Sequence, residues 1–142
     1  MSVKQISVFL ENRAGALAEL TGVLREHTVD MRALSLAETS DFGIARIIVD
    51  DVDKTTAVLR AQGFIHQVSA VVAAAIPNVP GGLDRVLRVL GSENVNIEYM
   101  YAFLGASRDS ACMVFKVADP EKASEALASN GIVPLEQEAL LK

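Results

Sequence analysis

Residues 10–31, LENRAGALAELTGVLREHTVDM, return 66 positions later as residues 76–97, IPNVPGGLDRVLRVLGSENVNI. Asn12, Gly15, Leu17, Val23, Leu24 and Val29 meet Asn78, Gly81, Leu83, Val89, Leu90 and Val95, six identities in 22 positions. Further along the best offset becomes 68, where Val49, Asp51, Lys54, Leu59 and Gly63 meet Val117, Asp119, Lys122, Leu127 and Gly131. The change of offset places two extra residues between Met31 and Val49 of the second copy. An insertion is tolerated there only if that region holds a loop. The chain therefore reads as a tandem duplication.

Both copies carry the same pattern of elements. Ile6, Val8 and Leu10 alternate with Ser7 and Phe9, a period-2 strand that stops at Glu11-Asn12-Arg13. Leu17, Leu20, Val23 and Leu24 then recur at helical spacing, as do Leu83, Val86, Leu87 and Leu90. Two apolar segments, Met31 to Ala37 and Ile44 to Val49, flank a polar connection and predict a hairpin. The second copy places its longer connection at Gly105 to Ser110. A second helix follows, with Asp51 or Asp119 as N-cap and Pro120 at the first helical position. Gly63 and Gly131 fall where a left-handed helix terminator belongs, and an apolar strand begins at Phe64 or Ile132. Between the copies the pattern predicts strand, a short break near Ser69, and strand again.

The order β-α-β-β-α-β predicts an α+β fold of two tandem ferredoxin-like units, residues 1–69 and 70–142. Each unit has an antiparallel four-stranded sheet with both helices on one face. The other face and the sheet edges then call for a partner.

Composition narrows the function. The 142 residues are 51% hydrophobic and 22% charged, which excludes a disordered chain. The longest apolar run, Ala70 to Ile76, is far below the ~20 residues a membrane span needs, and no secretory signal is apparent. The single cysteine, Cys112, excludes a disulfide framework and a Cys-rich metal site, so the expectation is a cytoplasmic protein. Thirteen Lys and Arg against 18 Asp and Glu give a net charge of −5. Neither copy bears a basic stripe, which argues against nucleic acid.

No catalytic constellation emerges, and no cofactor or metal site. His27 and His66 lack neighbours at metal or triad spacing. Cys112 sits in the apolar run Ala111 to Val117 and reads as a small buried hydrophobe. Asp50, Asp51 and Asp53 fall where a helix start needs caps. Tyr99, Tyr101 and Phe103 alternate along one strand and share a face, framing a ligand, a domain interface or ordinary sheet packing.

The strand-to-helix loop carries the chemistry. It reads Asn12-Arg13-Ala14-Gly15-Ala16-Leu17 in the first copy and Asn78-Val79-Pro80-Gly81-Gly82-Leu83 in the second. Glycine at a helix start permits close approach, and the free N–H groups there attract an anion such as a carboxylate. Asparagine offers both a donor and an acceptor, which suits an α-amino acid. The plainer reading is that Asn12 and Asn78 cap helices and the glycines make turns.

Asn-x-x-Gly-x-Leu after a strand, inside βαββαβ, resembles the ACT domain, a small-molecule sensor of amino-acid metabolism. Residues 78–83 match its Pro-Gly signature, while Ala14 stands where the family often has proline. The resemblance covers both copies and implies a stand-alone tandem ACT protein, non-catalytic, binding an amino acid and regulating metabolism allosterically. It implies that the ligand is held at domain interfaces, with Asn12, Arg13, Ala14, Gly15, Ala16 and Leu17 lining one site, and Asn78, Val79, Pro80, Gly81, Gly82 and Leu83 the other. It further implies pairing through sheets, hence a homodimer. The first copy also resembles the first domain of the small subunit of acetolactate synthase, so a regulatory subunit of an amino-acid biosynthetic enzyme such as acetolactate synthase is the alternative.

Overall fold

The structure is a computed structural model that describes residues 2–104 and 110–141. The residues 105–109 of the predicted second hairpin connection lie outside the described residues. Strand β1 (Val3–Glu11), helix α1 (Ala16–Glu26), strands β2 (Met31–Glu38) and β3 (Phe42–Val49), and helix α2 (Val52–Ala61) come first. Strand β4 (Ile65–Pro77), helix α3 (Gly82–Ser92), strands β5 (Tyr99–Ala102) and β6 (Ser110–Lys116), helix α4 (Pro120–Ser129) and strand β7 (Pro134–Leu135) follow. A 3₁₀ turn spans Gln137–Leu141. The chain separates into two compact units, Lys4–Ser69 and Ala70–Lys142, with Met1–Val3 joined to the latter.

In the Lys4–Ser69 unit the strand order is β2-β3-β1-β4. The antiparallel register of β1 on β3 sets Ile6 opposite Ile47 and Val8 opposite Ala45. These residues alternate along their strands, so they project to one face. Leu20 and Leu24 of α1 and Leu59 of α2 are buried in the same cluster, which puts both helices over that face. The Ala70–Lys142 unit repeats the design with the order β5-β6-β4-β7. Val72, Ala74 and Ile76 of β4 and Phe115 of β6 bury there against Val86 and Leu90 of α3 and Leu127 of α4. A fully buried leucine contributes roughly 1.5–3 kcal/mol, so these stripes dominate each unit's stability.

Both even-numbered helices are capped as the sequence predicts. Lys54 N donates to Asp51 Oδ1 at 3.0 Å and Lys122 N to Asp119 Oδ1 at 3.1 Å. Gly63 and Gly131 take φ 79° and 76° and end α2 and α4. Their N–H groups reach Arg60 O and Ala128 O, and those of Phe64 and Ile132 reach Leu59 O and Leu127 O. This is the Schellman pattern. Helices α1 and α3 end the same way on Thr28 (φ 54°) and Asn94 (φ 58°), which the sequence pattern did not mark. Thr28 is the odd member, because a β-branched side chain crowds the left-handed region.

Two expectations need correction. No break occurs at Ser69: β4 runs unbroken through 13 residues. Nothing in that stretch lacks an N–H or demands a positive φ before Pro77, and Ser69 Oγ accepts from Gln5 Nε2 at 3.5 Å instead of turning the chain. The closing strand of the second copy is only Pro134–Leu135 rather than a run from Ile132. Pro134 has no N–H to offer, which limits the ladder.

Candidate functional site

The loop between β1 and α1 is a tight turn ending on Gly15, whose φ of 86° lies in the left-handed region. Gly81 does the same before α3, also at 86°. These glycines, not the asparagines, occupy the N-cap positions, and neither helix start has a side-chain cap. The plainer reading of Asn12 and Asn78 as N-caps therefore fails. Glycine carries no side-chain acceptor, so nothing at Gly15 or Gly81 takes a first-turn N–H as Asp51 and Asp119 do at α2 and α4, although Ala16 N and Gly82 N donate back to Arg13 O at 3.3 Å and Val79 O at 3.0 Å.

Asn12 instead braces the β2–β3 hairpin. Its N–H donates to Asp41 O at 3.1 Å, and its Nδ2 lies 3.4 Å from Glu38 Oε2 and 3.3 Å from Thr39 O. Arg13 is gripped by two carboxylates. Its Nε donates to Glu11 Oε2 at 2.8 Å, and its Nη2 to Glu19 Oε1 and Oε2 at 3.0 and 2.9 Å. Glu19, then Glu11, raise the Arg13 pKa above its ordinary value. Ala14 and Gly15 are exposed, Ala16 is buried in the core, and Leu17 is half-buried against it.

In the second loop Asn78, Val79, Pro80, Gly81 and Leu83 are exposed and Gly82 is buried. A Cβ on Gly82 would lie 2.2 Å from Pro77 O, so the chain passes closer there than at Ala16, its counterpart. Val79 N donates to Pro77 O at 2.9 Å and Gly82 N to Val79 O at 3.0 Å, which closes this turn on itself.

Two cavities open on the first loop. A groove of about 310 Å³ is lined by Arg13 and Ala16 together with Phe9, Glu11, Glu19, Phe42, Gly63, Phe64 and Ile65. A smaller one of about 70 Å³ is lined by Asn12, Arg13, Ala16 and Leu17 with Leu36, Ala37 and Glu38. Ala14 and Gly15 line neither. The second unit has an open groove of about 460 Å³ at Ala128, Gly131, Ile132, Val133, Pro134 and Glu136. Another of about 340 Å³ lies at Asn94, Val95, Asn96, Glu98, Ala118, Asp119 and Lys122, and residues 78–83 line neither. Of the residues expected to line a site, Asn12, Arg13, Ala16 and Leu17 line these cavities, and Glu11, Glu19, Phe9, Phe42, Phe64 and Ile65 join them there without having been among those expected. The register Glu11 opposite Phe42 brings part of this wall together, a pairing of residues 31 positions apart.

The other candidates fall into ordinary roles. His27 C-caps α1, with Nδ1 3.0 Å from Val23 O. His66 Nδ1 sits 3.0 Å from Phe64 O. Cys112 is only half-buried, and burial raises its thiol pKa. The rings of Tyr99 and Tyr101 stack with centroids 6.5 Å apart. Among the described residues no three His, Cys, Asp or Glu side chains are grouped to hold a metal ion. No helix among them is long and apolar enough to cross a membrane.

The sequence profile of the ACT domain pair matches residues 1–142. The chain belongs to the ACT domain pair family. The crystal structure of protein BT0572 from Bacteroides thetaiotaomicron is 41% identical and superposes with a TM-score of 0.93, covering 100% of this ACT pair and 97% of that chain. The regulatory subunit of aspartate kinase from Thermus thermophilus shares the fold at 15% identity and TM-score 0.63, over 89% of this chain and 91% of that one. Aspartokinase III from E. coli, crystallised with lysine and aspartate, shares it at 21% identity and TM-score 0.56, over 92% of this chain and 31% of that one. No curated protein matches the ACT pair.

Proposed function

We propose that this ACT domain pair is a non-catalytic regulatory module that binds a free α-amino acid at its strand–helix loops, residues 12–17 and 78–83, and passes the binding signal to an enzyme of amino-acid metabolism. The two ACT domains are residues 1–69 and 70–142. The observation that carries the reading is the contrast between the helix starts: Asp51 and Asp119 cap α2 and α4, whereas α1 and α3 begin on bare Gly15 and Gly81. An amino-acid carboxylate would stand where a capping side chain is lacking at those starts, favoured by the positive end of the helix dipole. Membership of the ACT domain pair family supports the same ligand class.

Thermal melting against each of the twenty amino acids tests the reading. One or a few should raise the midpoint in a concentration-dependent way, by RT ln(1 + [L]/Kd) in free energy. No shift at millimolar concentration of any of them defeats it. Pairing through sheets is part of the proposal: sedimentation at micromolar concentration should give twice the 15.2 kDa chain mass, and a single-chain mass counts against it. Purification from the native cell distinguishes the two forms of the module. A stoichiometric large partner marks a regulatory subunit, and its absence marks a free sensor.

A further inference from the structure

The two loops share a backbone turn but not their charges. Glu11, Arg13 and Glu19 of the first copy correspond, at the offset of 66, to Pro77, Val79 and Arg85 of the second. The grooves beside them are also related by the repeat, because Gly63, Phe64 and Ile65 correspond to Gly131, Ile132 and Val133 at the offset of 68. Among the described residues the first groove ends in an ion-paired cluster of both signs, whereas Glu136 is the one charged side chain lining the second. In the second, Arg85 donates to Asn130 O at 2.6 Å and joins no ion pair among the described residues.

The first cluster matches a zwitterion. The Arg13 guanidinium is a planar fork that takes carboxylates in two directions at once. Glu11 and Glu19 already occupy both directions, which fixes the fork's orientation. All three side chains are well exposed, at 46%, 73% and 58%, so these pairs are weak and exchangeable. A ligand carboxylate would replace one glutamate on the fork. The displaced glutamate and its neighbour would then accept from the ligand ammonium. All three charges would be consumed by the backbone end of such a ligand.

What remains of the groove is apolar: Phe9, Phe42, Phe64 and Ile65. Phe42 and Ile65 are 57% and 72% exposed, an apolar surface that a ligand side chain would cover. A charged ligand side chain would lie against phenyl rings with no partner left, at a desolvation cost. The volume of about 310 Å³ sits at the small end of ligand sites and suits one amino acid.

We propose that the groove of the first unit is the tight site of the pair, and that its ligand is a free α-amino acid with a large apolar side chain, held by Glu11, Arg13 and Glu19 at one end and by Phe9, Phe42 and Phe64 at the other. This rests on the amino-acid reading above and adds to it the side-chain class, the recognition residues and the inequality of the two loops.

Calorimetric titration of the full chain with L-phenylalanine, L-leucine, L-aspartate and L-lysine tests it. The expected result is that phenylalanine or leucine binds one site per chain at least tenfold more tightly than any second site, and that aspartate and lysine bind more weakly than either. Arg13→Gln and Phe42→Ala should each weaken binding at least tenfold with far-ultraviolet circular dichroism unchanged. If either variant fails to fold, Glu19→Gln reads out the same cluster. Two equal sites per chain, tighter binding of aspartate or lysine, or undiminished affinity in folded variants overturns the inference while leaving the amino-acid reading intact. Failure of all twenty amino acids to bind overturns both.

Discussion

Gly82→Ala isolates the closest backbone approach in the second loop. A Cβ at that position would sit 2.2 Å from Pro77 O, with Pro77 C and Ile76 Cγ2 both at 3.4 Å. The atom that must yield is a backbone oxygen in a turn closed by the hydrogen bonds Val79 N to Pro77 O and Gly82 N to Val79 O. Reaching ordinary contact requires an opening of about 1 Å, and overpacking of this kind costs about 1–3 kcal/mol. Alanine's better helix propensity returns at most about 1 kcal/mol, less at a first helical position. The expected net effect is a loss of about 1–2 kcal/mol. For a unit of this size that lowers the melting midpoint by roughly 4–16 °C. Gly22→Ala and Gly91→Ala serve as controls: both lie in helices with nothing within 4 Å of the new Cβ, so each should gain about 0.5–1 kcal/mol. Urea unfolding and thermal melting of the three variants read the difference. A Gly82→Ala protein as stable as its parent, or more so, refutes the close approach and the loop geometry built on it.

Thr28→Gly should stabilise the protein by about 1 kcal/mol in urea melts, since a β-branched residue at φ 54° bears a left-handed strain that glycine does not. Asp51→Ala and Asp119→Ala should each cost about 1 kcal/mol through loss of the cap to Lys54 N or Lys122 N. At pH 8 Cys112 should react with iodoacetamide more slowly than a free thiol, because burial raises its pKa and the thiolate is the nucleophile; mass spectrometry of the time course checks this.

The features legible in the sequence were those made by neighbours. Asp51 caps a helix through a residue three positions on, and Gly63 and Gly131 end helices through bonds spanning one turn, so a short window contains the whole interaction. The duplicated strand and helix stripes were legible for the same reason, as one period repeated twice. Asn12 misled because it stands three residues before the N-cap position, which Gly15 takes, and its Nδ2 reaches Glu38 and Thr39 across the hairpin. Arg13 and Glu19 meet only once the Gly15 turn brings the start of α1 back beneath the loop. Phe42 reaches the groove through strand register, which no local pattern encodes. The continuity of β4 through Ser69 escaped notice because a serine is as compatible with a strand as with a break.

In the proposed function an amino acid is held at the loop entering α1. Nuclear magnetic resonance titration of the ¹⁵N-labelled chain with the amino acid that most raises the melting midpoint tests it most directly. The largest, saturable amide shifts are expected at residues 13–19 and at Phe42 and Phe64, with residues 78–83 shifting only at higher concentration. Saturable shifts that avoid both loops would contradict it.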